Sequence, residues 1–139
     1  MNFILIRGLA RESRHCQELT ELLSKEINKE NIHRFELPGN GEFYQQTSPI
    51  NFRAYTKHVA KQASKIEPPY CVIGISLGGM IALDWAQQDT NNAIEKLVLI
   101  NTSSNFSPFY KRANRTSYMT AARILCQSST GKEYFIVGE

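Results

Sequence analysis

The chain has 139 residues, 42% apolar and 21% charged, which suits a single globular domain and excludes disorder. Its formal net charge of +3 is too small to mark a nucleic-acid or membrane surface by itself. Three widely spaced cysteines, Cys16, Cys71 and Cys126, fit no zinc or disulfide framework, so a reducing, cytoplasmic setting is expected, with no metal and no cofactor.

The apolar run Phe3-Ile4-Leu5-Ile6 ends near Gly8, the pattern of a strand buried on both faces. It is too short for a signal peptide, and no stretch of the chain is long enough to span a membrane, so no membrane anchor is expected. Over residues 11–28, Cys16, Leu19, Leu22, Leu23 and Ile27 recur mostly at helical spacing and predict an amphipathic helix lying on a sheet. Residues 32–37 read as a weaker strand, closed by the turn signal Pro38-Gly39-Asn40-Gly41. Phe52, Tyr55, Val59, Ala60 and Ala63 predict a second helix that must stop before Pro68-Pro69. A strand at 70–73, a helix at 77–88 and a strand at 97–100 follow, with Cys71 as a small buried hydrophobe. Repeated strand–helix–strand units predict an α/β fold, a mostly parallel sheet flanked by helices on both faces.

Beyond Ile100 the pattern weakens: residues 101–105 are polar, 118–126 could form a helix, and 134–137 could be a strand or a frayed tail. From Lys96 onward six Lys or Arg face two acids, which reads as a solvated basic face, with contact to an anionic substrate or lipid as the alternative.

The informative stretch is Cys71-Val72-Ile73-Gly74-Ile75-Ser76-Leu77-Gly78-Gly79-Met80-Ile81-Ala82-Leu83, which contains Gly-x-Ser-x-Gly. The bare pattern is weak, but here it begins as an apolar strand ends and an apolar helix follows at once. A nucleophile elbow needs that context, because its serine occupies a strained turn between strand and helix. Gly74 and Gly78 lack the β-carbons that would collide where the two backbones approach. The serine hydroxyl then stands above a helix amino end, whose free N–H groups suit a developing oxyanion. A phosphate loop would want a different glycine spacing or a Gly-Lys-Ser/Thr ending, and neither is present.

On these residues the chain resembles the α/β-hydrolase superfamily of esterases, lipases and acyl-transfer relatives, over roughly residues 3–105. Ile4-Leu5-Ile6-Arg7-Gly8-Leu9 is similar to the family's strand ending in His-Gly-x, and Leu37-Pro38-Gly39-Asn40-Gly41 to its Asp-x-Pro-Gly-x-Gly turn. Leu97-Val98-Leu99-Ile100-Asn101 resembles the strand after the elbow helix. The resemblance implies that Ser76 is the nucleophile and that the backbone N–H groups of Leu77 and Leu9 form the oxyanion hole. Arg7 departs from the usual His, and Asn40 from a common one.

A serine nucleophile needs a base oriented by an acid, in the chain order Ser, Asp or Glu, then His. All three histidines, His15, His33 and His58, precede Ser76. Asp84 and Asp89 belong to the elbow helix and its exit, which run away from the serine, and residues 97–131 contain no acid. His15, on the first turns of its helix, is the only candidate substitute base; His33 and His58, the latter on an exposed helix side, are more remote. Asp84 reads as a helix-surface residue and Trp85 as core.

The whole chain, 1–139, is therefore expected to be one truncated hydrolase domain. Its core is placed at about 3–105, and 106–139 is read as the start of a lid region or an altered tail. The expected substrate is a small-molecule ester or acyl compound, with little turnover by this chain. The alternative is a degenerate, non-catalytic domain that binds a partner or an apolar ligand. An unpaired edge at 97–100 would favour self-association.

Overall fold

A computed structural model describes residues 1–8, 13–100, 102 and 133–137. Strands β1 (Asn2–Ile6), β2 (Ile32–Phe35), β3 (Tyr70–Ile75), β4 (Ile94–Ile100) and β5 (Glu133–Val137) form one sheet in the order β2-β1-β3-β4-β5, every neighbouring pair parallel. Helices α1 (Ser13–Leu23), α2 (Phe52–Ala63) and α3 (Leu77–Gln88) link the first four strands.

The alternation of side chains along each strand builds two cores. On one face Phe3, Leu5, Cys71, Ile73, Ile75, Val98 and Ile100 pack under Cys16, Leu19 and Leu23 of α1. On the other, Ile4, Ile6, Val72, Leu97 and Leu99 meet Tyr55, Val59 and Ala63 of α2 and Ile81, Ala82 and Trp85 of α3. Helices therefore cover both faces, and every residue of β3 is buried. No helix among the described residues is long and apolar enough to cross a membrane.

Local chemistry sets the helix limits. Asn51 caps α2 by accepting the Arg53 N–H at 2.7 Å on its side chain. Past the other end of α2, the Tyr70 hydroxyl donates to the carbonyls of Ala63 (3.1 Å) and Ile66 (2.7 Å), tying the helix exit to β3. The two helices on this face are joined by a buried hydroxyl: Thr56 Oγ1 donates to Asp84 Oδ2 at 2.5 Å, and Gln88 Nε2 reaches the same oxygen at 2.7 Å. Asp84, read from sequence as a surface residue, is half-buried by this link. Thr56→Val, which keeps the shape and removes the donor, is expected to cost about 1–2 kcal/mol in urea unfolding.

Two expectations change. Helix α1 ends at Leu23, short of residue 28, where Ser24 Oγ donates back to the Glu21 carbonyl and Ile27 N–H turns back to the Leu23 carbonyl. Ile27 keeps its apolar spacing because it still packs on the α1 face. Of the two readings of residues 134–137, a strand or a frayed tail, the strand is the one found, as β5 (Glu133–Val137). With Leu97 opposite Tyr134 and Ile100 opposite Val137, β5 also covers the β4 edge that was expected to stand unpaired. Aromatic and β-branched residues at 134–137 suit a strand laid on that edge. The helix read at 118–126 lies outside the described residues.

Candidate active site

In a parallel sheet all strands deliver their exits to the same edge, and Ser76 stands at that edge between β3 and α3. Its backbone has φ 53° and ψ −117°, a region that a side chain other than glycine enters only under constraint. The Ser76 N–H donates to the Ile100 carbonyl at 2.9 Å, and its own carbonyl accepts the N–H of Gly79 at 3.0 Å. Its side chain makes no capping hydrogen bond, so the hydroxyl is not tied back to the helix it precedes.

Three glycines make this turn possible. A Cβ at Gly74 would lie 2.5 Å from the Gly79 Cα and 2.6 Å from the Gly78 carbonyl oxygen. A Cβ at Gly78 would overlap the carbonyl oxygen of Ile6, and one at Gly79 would overlap Thr102 Oγ1. The elbow helix therefore rests on the backbone at the exit of β1 on one side and on Thr102 on the other. Gly74 and Gly78 were legible from the motif. Gly79 and Thr102 were not singled out, although the doubled glycine at 78–79 was the available signal.

Leu77, the first residue of α3, has no intrahelical acceptor for its N–H, which leaves that donor at the carboxyl edge of the sheet beside Ser76. Leu9, the second expected donor, lies outside the described residues. At the β1 exit, Arg7 forms an ion pair with Glu36, the residue that follows β2. Register brings them together, since Ile6 pairs with Phe35 one step earlier. Gly41, at φ 52°, passes so close that a Cβ there would overlap the Glu36 carboxylate. The arginine that departs from the family pattern thus pins the β1 exit to the turn after β2.

The histidines are placed as follows. His15 belongs to the first turn of α1, and its side chain lies outside the described residues. The His33 ring meets Asn2 Oδ1 at 3.0 Å, and Asn2 begins β1, so this ring sits toward the opposite end of the sheet from Ser76. His58 is not on an exposed helix side: it is half-buried, its ring edge-on to Phe43 at 4.7 Å and 88°. Phe43 turns back over α2 because Gly39 and Gly41 take positive φ and fold the segment after β2.

Burial holds the His58 imidazole below its ordinary range; a hydrogen bond to the Glu36 backbone partly opposes this, and Lys61 reinforces it. Burial also lowers His33. Each therefore binds a proton more readily in the unfolded chain than in the fold. Their contribution to stability is complete above the ordinary value of 6.5 and is lost as pH falls through the lowered folded value. Urea midpoints taken from about pH 7 to about pH 5 should fall, and His58→Gln should shrink that fall.

Asp89 is committed to structure, its Oδ2 accepting the Ile94 N–H at 2.8 Å. Cys71 is fully buried, and burial pushes its thiol up to about 12, which leaves it inert as a nucleophile. Among the described residues no group of three or more His, Cys, Asp or Glu could hold a metal ion.

The model of the alpha/beta hydrolase fold family matches residues 2–117. No curated protein matches the chain. Among solved structures, a pyrethroid hydrolase from Sphingobium faniae JZ-2 is similar at TM-score 0.56 and 23% identity, over 73% of this chain and 40% of that one. The N-formylmaleamic acid deformylase of Pseudomonas putida S16 is similar at TM-score 0.59 and 20% identity, over 93% and 50%. The RedJ thioesterase of the prodiginine pathway in Streptomyces coelicolor is similar at TM-score 0.62 and 14% identity, over 89% and 48%. The chain thus spans 40–50% of the length of these structures. At these identities the likeness speaks for the fold, and the family match over most of the sequence for membership: the chain belongs to the α/β-hydrolase fold family.

Proposed function

We propose that Ser76 is the nucleophile of a hydrolase acting on a carboxylic ester or thioester. Its Oγ attacks the carbonyl carbon, and the carbonyl π pair moves onto oxygen, where the N–H groups of Leu77 and Leu9 would hold the oxyanion. Collapse expels the alkoxide or thiolate, which takes the proton given up by the Ser76 hydroxyl and departs as alcohol or thiol, leaving an acyl group on Ser76. Water then attacks that ester, releases the carboxylic acid and returns the proton to Ser76. The observation that carries this reading is the backbone of Ser76, held at φ 53° and ψ −117° directly before α3. The hydrolase and thioesterase names of its structural neighbours agree with the reaction class.

A serine hydroxyl without a base is a weak nucleophile. The His33 ring sits by Asn2 at the start of β1 and the His58 ring packs edge-on against Phe43, so this chain by itself is expected to turn over slowly. A fluorophosphonate probe tests the nucleophile: slow labelling mapped to Ser76 and lost in Ser76→Ala supports it. Labelling that survives Ser76→Ala overturns it, and fast labelling contradicts only the expected low reactivity.

The same placement of His33 and His58 favours a second reading, a non-catalytic domain that binds an apolar ligand or a partner. Under it, two copies would meet along the outer side of β5 rather than β4, because β4 is already paired. A monomer at high concentration in sedimentation would count against that association.

A further inference from the structure

The backbone of Ser76 stays in its rare conformation only while its surroundings over-determine it. Two of the constraints come from one short segment, the exit of β4. On the strand side of the turn, the Ile100 carbonyl accepts the Ser76 N–H at 2.9 Å. On the helix side, the Thr102 side chain lies against the Cα of Gly79, whose N–H bonds the Ser76 carbonyl at 3.0 Å. The fit is close: a Cβ at Gly79 would overlap Thr102 Oγ1 and lie 3.0 Å from both Thr102 Cβ and Cγ2. Thr102 Oγ1 is buried and has no hydrogen-bond partner among the described residues. All three side-chain atoms of Thr102 press on Gly79, so what the side chain supplies here is its shape.

We infer that Thr102 is a positioning residue: with the Ile100 carbonyl, it clamps both sides of the elbow and holds Ser76 in its attacking conformation. The catalytic meaning of the clamp rests on Ser76 being the nucleophile, while the clamp itself is a property of the backbone. Removing the Thr102 side chain would free the first turn of α3 to shift against β4 and loosen the Ser76 N–H.

Amide hydrogen exchange read by NMR tests the clamp apart from any chemistry, with Leu5 in β1 as the internal control. Thr102→Ala should speed Ser76 exchange by about tenfold or more and leave Leu5 unchanged, because the opening is local. Its labelling by a fluorophosphonate should slow as well. Thr102→Val, which keeps the shape, should match the wild type in both readouts. Gly79→Ala should loosen Ser76, and adding Thr102→Ala to it should restore part of the protection.

Unchanged Ser76 exchange in Thr102→Ala, or equal acceleration at Leu5, overturns the clamp. So does a Thr102→Val variant that behaves like Thr102→Ala, since the hydroxyl would then be the active part. If Thr102→Ala does not fold, Thr102→Ser, which loses only Cγ2, is read the same way: faster exchange at Ser76 alone supports the clamp and no local change overturns it. A wild type with the expected exchange pattern but no label on Ser76 leaves the clamp standing and removes the nucleophile proposal.

Discussion

Gly78→Ala is expected to destabilise the fold by about 3 kcal/mol or more, far beyond the effect of one methyl group elsewhere on a helix. Alanine is the better helix former, so propensity alone predicts a gain of about 1 kcal/mol. The contact reverses the sign. The new Cβ would overlap the Ile6 carbonyl oxygen and crowd that of Arg7, and both belong to the backbone of β1 and its exit. No rotamer relieves a backbone clash, so α3 must lift from the strand beneath it. Lifting it would also disturb Gly74, Gly79 and the Ser76 hydrogen bond to Ile100, which share the same close approach. Urea unfolding followed by circular dichroism should show a lower midpoint with an unchanged slope. A midpoint equal to the wild type would mean that helix and strand are further apart than described.

Ser76→Gly should separate stability from reactivity. A residue other than glycine at φ 53° carries a strain of about 1–3 kcal/mol, and glycine removes it at the cost of extra freedom in the unfolded chain. The net expectation is a gain of about 1 kcal/mol in stability together with complete loss of fluorophosphonate labelling. Ser76→Ala should lose labelling equally and gain nothing, because it keeps the Cβ that is strained. The Ser76 side chain makes no capping bond, so neither change forfeits one. A stability gain that comes only with loss of chemistry marks strain maintained for function. Equal stability of the two variants would show that the turn is unstrained.

The elbow was legible in the sequence because two periodic patterns meet there. A fully apolar run gives way to helical spacing across two glycines, and α2 and α3 follow from apolar spacing that is local in sequence. What failed to show were contacts set by register. The start of β4 was missed because Glu95 and Lys96 interrupt its apolar run, yet Lys96 is buried, with Cys71 and Glu133 as its register partners on the two sides. β5 was left undecided because a parallel partner arrives by a long crossover and carries no local signal of where it will land. The Arg7–Glu36 pair was invisible for the same reason, since only the pairing of β1 with β2 brings the two together. Thr102 looked like one more polar residue of a loop, and its meaning comes from a glycine on another element.

The proposed reaction requires the acyl group to pass through Ser76, and an acid-quench experiment reads that directly. The chain is incubated with a p-nitrophenyl ester of a short fatty acid, quenched, and analysed by intact mass and peptide mapping. One acyl group per chain is expected on the peptide carrying Ser76, with slow release of the acid and no adduct in Ser76→Ala. Nitrophenol release that proceeds equally in Ser76→Ala, or an acyl group found on another residue, would contradict the proposed reaction.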